Sequence, residues 1–215
     1  MTEQNFDQMR RAMVASQLRT TGVNDPAVIA AMSEVARERF VPDDRRAIAY
    51  ADALVPLGGG RALNPPMVLG RLLTEAHLKG SERALVIGAG TGYSAAVLAR
   101  LVESVTALEE SADLAARARD ALAGSGVTVV EGPLNQGHAA GAPYDFVLID
   151  GAVEEIPQAI LDQVEGGEIA YGLIDRGVTR LAIGRVAGHA LGATIIADAA
   201  AAILPGFAKP RGFSF

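Results

Sequence analysis

The chain has 215 residues, half of them hydrophobic, and its 19 basic and 25 acidic side chains give a formal net charge of −6. That length excludes two or three independent enzymes and fits one domain with an appendage; although 40 residues are alanine, the larger apolar side chains still make up roughly a third of the chain, which excludes a disordered protein. There is no cysteine, so disulfides, thiolate nucleophiles and cysteine-ligated metals are excluded, and no basic run suited to a nucleic-acid backbone.

Phe6, Met9, Met13, Val14 and Leu18 stand near helical spacing and end at Thr20-Thr21-Gly22, which predicts one amphipathic helix over residues 6–19. Asn24-Asp25-Pro26 starts a second. Short extended pieces follow around Phe40-Val41-Pro42 and from Leu54 to the triple glycine Gly58-Gly59-Gly60, and Met67 to His77 is helical again. From residue 83 the rhythm changes to β-rich runs separated by helical stretches: strands at 83–87, 105–108, 127–130, 144–149 and near Ile169, with helices at 94–101, at 113–123 and after Ile156-Pro157. Runs at 179–186 and 193–197 complete the sheet as an antiparallel pair. The charge divides along the same line, 10 basic and 9 acidic groups in residues 1–80 against 9 and 16 in residues 81–215.

Val86-Ile87-Gly88-Ala89-Gly90-Thr91-Gly92-Tyr93-Ser94 is a strand running into a glycine turn and then a helix. Glycine there lets the backbone turn sharply and lets a ligand approach without a Cβ in the way. The spacing is Gly-x-Gly-x-Gly, and the bulky Tyr93 stands where a dinucleotide fold needs its third glycine, which disfavours a nicotinamide dehydrogenase. Glu109 ends the next strand, 17 residues after Gly92, where an acid accepts hydrogen bonds from ribose hydroxyls.

These features resemble class I S-adenosylmethionine-dependent methyltransferases, and within them the protein-L-isoaspartate O-methyltransferases. The resemblance rests on the N-terminal helices, Phe40-Val41-Pro42, Tyr50-Ala51-Asp52, Pro56-Leu57-Gly58-Gly59-Gly60, the cofactor loop, Ala142-Pro143-Tyr144-Asp145, Ile156-Pro157 and Gly166-Gly167. It implies an α/β fold, a doubly wound, mostly parallel seven-stranded Rossmann-like sheet with an N-terminal helical extension. Residues 1–80 are then the helical, acceptor-loop portion and residues 81–215 the cofactor-binding core. It implies S-adenosylmethionine as cofactor, bound by Gly88, Ala89, Gly90, Gly92 and Glu109, and methyl transfer to a carboxylate of an isoaspartyl-containing protein or peptide, or another carboxylate acceptor.

The chain departs from the family pattern in places. Asn64 stands where the family has the active-site serine of its Thr-Ile-Ser run, and Ala62 removes a second hydroxyl. Gly132-Pro133 replaces a Gly-Asp pair whose acid reaches the adenine, and proline offers neither carboxylate nor amide hydrogen. Ala201-Ala202-Ile203-Leu204-Pro205-Gly206-Phe207 replaces the family's peptide-holding Val-Arg-Phe-Val-Pro-Leu. Ile149-Asp150-Gly151 puts a carboxylate at a strand's C-terminal edge, which makes Asp150 a further cofactor-site candidate.

Methylating an ionised carboxylate needs positioning more than a general base, so Asn64, whose amide donates to carboxylates, is the catalytic candidate with Arg61 beside it as a carboxylate-matching guanidinium. The alternative is a family member that has lost isoaspartyl repair and acts as a binding protein or on another acceptor. Tyr93 is expected to pack, and the arginines at 37, 39, 45 and 46 to form a solvated face. His77, His138 and His189 are far apart, so no metal is expected. The polar, acidic N-terminus and the lack of a long apolar run point to a soluble cytoplasmic protein without a membrane or nucleic-acid partner, its oligomeric state open.

Overall fold

A computed structural model describes residues 5–164 and 166–209. Helix α1 (Phe6–Met13) is capped by the Asn5 side chain, which accepts from the Gln8 amide. The helical path continues, but as a π turn over Val14–Leu18 and a 3₁₀ turn over Arg19–Thr21. The spacing explains the change: from Met13 to Leu18 is a step of five, longer than an α turn, and a wider turn keeps both side chains fully buried on one face. Gly22, at φ 85°, stops the run. Helix α2 (Pro26–Glu34) starts as its sequence signals, with the Asp25 carboxylate accepting from the amides of Ala27 and Val28.

The stretch after α2 corrects one expectation. Arg37 is not on a solvated face but 1% exposed, in a 3₁₀ turn over Arg37–Phe40. Buried backbone carbonyls compensate its charge: Nε donates to Ala49 at 2.6 Å and Nη2 to Asn64 at 2.5 Å, while the guanidinium lies 4.6 Å from the Tyr93 ring centroid. The extended pieces that follow are the strands of a small antiparallel hairpin, β1 (Val55–Gly58) and β2 (Arg61–Leu63), with the glycines at its tip. Helix α3 (Pro66–Glu75) runs from it to the main sheet.

That sheet has seven strands in the order β5-β4-β3-β6-β7-β8-β9. Strands β3 (Arg83–Ile87), β4 (Ser104–Glu109), β5 (Thr128–Glu131), β6 (Phe146–Val153) and β7 (Glu168–Asp175) are parallel. Strands β8 (Val178–Ala187) and β9 (Ala190–Asp198) close the edge antiparallel, as expected. Helices α4 (Tyr93–Leu98), α5 (Ala112–Ala121) and α6 (Gln158–Leu161) lie in the parallel crossovers. Strand β6 runs four residues past the expected end at Ile149, with a register shift between Leu148 and Ala152 that places Asp150 at the irregularity.

Alternation along β3 feeds both faces of the sheet. Ala84 and Val86 join a cluster with Met13, Met32, Leu72 and Leu98, while Leu85 and Ile87 face Val147, Ile160, Leu204 and Phe207. The first cluster draws side chains from residues 1–80 and 81–215 alike. Among the described residues no helix is long and apolar enough to cross a membrane.

Candidate functional site

Strand order reverses where β3 lies between β4 and β6, and at such a switch point the C-terminal strand ends splay into a crevice. The turn after β3 opens there. Gly88, Gly90 and Gly92 have φ of 79°, 57° and 100°, the left-handed region that favours glycine. Packing adds a second constraint, since a Cβ on Gly92 would lie 2.7 Å from Leu122 Cδ1 and one on Gly88 2.9 Å from Leu204 Cδ1. The amides of Gly88 and Ala89 both donate to the Leu108 carbonyl, which holds the turn against the end of β4.

Glu109 ends β4 under this turn with 0% exposure. Its Oε2 accepts from the Gly90 amide at 2.7 Å, and its Oε1 from the amides of Glu110 and Ser111, each at 3.1 Å. Arg61 Nη1 completes the shell at 2.5 Å from Oε1, while Nη2 donates to the Gly88 carbonyl at 3.2 Å. The guanidinium expected beside Asn64 for a substrate carboxylate is thus held by a carboxylate of the chain itself.

Asn64 also differs from expectation. Its Nδ2 donates to Asp150 Oδ1 at 2.7 Å and to the Asp150 carbonyl at 3.0 Å, and its Oδ1 accepts from the Ala202 amide at 2.7 Å. At 3% exposure it ties β2, β6 and the segment after β9 together, with no amide proton left for an incoming carboxylate. Asp150, 8% exposed, faces this latch rather than an open crevice. Burial pushes its carboxyl above the ordinary carboxylate range, against the Asn64 hydrogen bond and the nearby charges of Arg37 and Arg61. Pro133 caps a 3₁₀ turn over Leu134–Gln136. Tyr93 packs as expected, 1% exposed and edge-on to Phe40 at 5.7 Å between centroids.

Three contributors went unforeseen. Arg37 holds the Asn64 carbonyl from below, Thr91 Oγ1 donates to the Phe40 carbonyl at 2.5 Å, and Leu204 covers Gly88 and Gly151. Leu204 had a signal, as the large aliphatic residue of the Leu-Pro pair in the replaced C-terminal segment. Among the described residues no group of three or more histidine, cysteine or acidic side chains is placed to hold a metal ion.

A doubly wound sheet with a glycine turn and a buried strand-end acid at its switch point defines a nucleotide-cofactor α/β domain of the class I methyltransferase architecture. The fold matches two solved structures. One is a protein-L-isoaspartate O-methyltransferase at TM-score 0.79 and 23% identity, covering 92% of this chain and 66% of that one. The other is a beta-aspartate methyltransferase from Plasmodium falciparum in complex with S-adenosyl-L-homocysteine, at TM-score 0.78 and 18% identity, covering 94% of this chain and 99% of that one. The chain belongs to the protein-L-isoaspartate(D-aspartate) O-methyltransferase family, whose model matches residues 9–176. Protein-L-isoaspartate O-methyltransferase 1 of Rhodopseudomonas palustris is 40% identical over 166 residues, 76% of this chain and 68% of that protein. The Methanoculleus marisnigri enzyme is 39% identical over 164 residues, 74% of each.

Proposed function

We propose that the chain transfers a methyl group from S-adenosylmethionine to the carboxylate of an isoaspartyl residue in damaged protein. One observation carries the reading: in a chain of this family, a strand-end carboxylate stands under a glycine turn at the switch point. The donor set fits the cofactor. Glu109 is an ionisable acceptor for a ribose diol, and the Gly88–Gly92 turn lets a nucleoside approach the backbone without side chains of its own in the way. Gly88, Ala89, Gly90 and Gly92 would hold it through the backbone and Glu109 through its carboxylate. Asp150, fixed on Asn64, shapes the wall of the crevice. Pro133 brings no donor to the adenine.

When bound, the cofactor supplies an electrophilic methyl carbon on a sulfonium. The chain has correspondingly little proton chemistry to perform, because an isoaspartyl carboxylate is already ionised near neutral pH. Its residues bind, orient and exclude water. Leu57 packs over Gly90 and Leu204 over Gly88, which makes the crevice apolar where an ionised oxygen must lose water to react. Asn64 acts as a positioning residue, joining the hairpin, β6 and the C-terminal segment into one wall. The −6 charge supports a protein acceptor over a nucleic acid, and the reading places the reaction in the cytoplasm.

The test is transfer of tritiated methyl from S-adenosylmethionine to a synthetic isoaspartyl peptide beside its normal aspartyl isomer. Base-labile label on the isoaspartyl peptide alone is expected, falling at least tenfold in Glu109→Ala. Equal label on both isomers, or none on either, overturns the reading.

A further inference from the structure

Glu109 is the most heavily bonded acceptor of the crevice, and its four donors differ in kind. Three are backbone amides, of Gly90, Glu110 and Ser111, fixed by the path of the chain. The fourth is Arg61, a side chain that rotation alone removes. Three of these donors crowd Oε1 and only Gly90 meets Oε2, but the carboxylate as a whole is 0% exposed. A ribose hydroxyl therefore reaches Glu109 only when a covering group moves, and Arg61 is the one of the four donors free to do so.

The support under Arg61 suits such an exchange. Arg61 opens β2 directly after Gly58, Gly59 and Gly60, with φ of 102°, 58° and 76°, and a Cβ on any of them would meet nothing within 4 Å. The hairpin tip therefore stands in open space, while Leu57, just before it, packs against Gly90 and its carbonyl accepts from Arg117 Nη1 at 3.3 Å. Arg61 itself is 9% exposed, so a guanidinium leaving Glu109 within the crevice becomes an unpaired, largely dry cation. Asp150 is the alternative partner nearby, but Asn64 already occupies its Oδ1 and burial disfavours its charged form.

We infer that Arg61 exchanges carboxylates during the cycle, pairing with Glu109 in the free protein and with the acceptor's carboxylate once the cofactor's ribose takes Glu109. The inference rests on the methyltransferase reading and adds to it a specificity residue and an order of binding, cofactor first and carboxylate acceptor second. A guanidinium suits both partners, since its planar fork matches any carboxylate, and binding it to the acceptor aims that group from the hairpin towards the turn.

Calorimetric titration of S-adenosylhomocysteine into the wild-type chain and Arg61→Gln tests the exchange, with circular dichroism melts to establish folding. Removing the internal competitor is expected to tighten S-adenosylhomocysteine binding at least tenfold. In the wild type, an isoaspartyl peptide is expected to bind at least tenfold tighter with saturating S-adenosylhomocysteine than without it, and Arg61→Gln to abolish that difference. Should Arg61→Gln not fold, Arg61→Lys, which keeps the charge but loses the two-pronged grip, is expected to bind S-adenosylhomocysteine several-fold tighter than wild type. Unchanged or weaker cofactor binding in the folded variants, or peptide binding indifferent to S-adenosylhomocysteine, overturns the exchange while leaving the methyltransferase reading intact. Absence of S-adenosylhomocysteine binding in both wild type and variants overturns both.

Discussion

Two charges of opposite sign, Arg37 and Asp150, are buried within the same dry wall behind the crevice, and they differ in how well they are compensated. Arg37 has two carbonyl acceptors and an aromatic face. Asp150 has the Asn64 amide, but burial still raises its pKa above the ordinary value of 3.8. The native state therefore binds that proton more tightly than the unfolded chain does. Stability attributable to Asp150 is lost as pH rises from the ordinary carboxylate range through the raised native value, and the loss is complete above it. Asp150→Asn keeps an oxygen for Asn64 and removes the charge, so it is expected to melt higher than wild type by a margin widest near pH ~8 and closing towards pH ~4. Thermal melts across that range check it, and a margin independent of pH contradicts it. At this scale the sequence marked Gly88, Gly90, Gly92, Glu109, Asn64, Arg61 and Asp150 as residues of one region, because motif spacing is local. It did not show which of them bond to one another. Those partners are 48 residues apart for Arg61 and Glu109 and 86 for Asn64 and Asp150, and only the fold brings them together. Arg37 was misplaced because nothing local separates it from the exposed arginines beside it.

Elements were more legible than partners. Capping and proline signals marked α2, and short β-rich runs marked β3 to β5 to within about two residues, since apolar periodicity and turn residues report directly on local backbone. The π turn after α1 answers a five-residue apolar step that a fixed helical period does not accommodate. The extension of β6 depends on a shifted register against β7, a pairing that lies outside local sequence. Glycines separate the two kinds of constraint on an element. At Gly59, in open space at φ 58°, an alanine meets backbone strain alone, about 1 kcal/mol. At Gly88 the same strain is joined by a Cβ 2.9 Å from Leu204 and 3.3 Å from Arg61 Nη2. Gly88→Ala is thus expected to lose clearly more stability than Gly59→Ala in urea unfolding, and the reverse order contradicts the packing described for the turn.

On the scale of the whole molecule, the doubly wound sheet and its antiparallel edge follow from the order of elements, and the residues 1–80 that sequence set apart share their main apolar cluster with the sheet. The near-neutral N-terminal portion supplies the hairpin and Arg61, and the acidic remainder supplies Glu109 and Asp150. The crevice is therefore a charged seam between the two, closed upon itself by the Arg61–Glu109 pair and by Leu204. A crystal structure of the chain grown with saturating S-adenosylhomocysteine probes that closure at its two partners. Ribose hydroxyls are expected at hydrogen-bond distance, about 2.7 Å, from Glu109, with the Arg61 guanidinium displaced from it. Ligand bound with the Arg61–Glu109 pair intact, or a crevice that stays closed and empty at saturation, would contradict it.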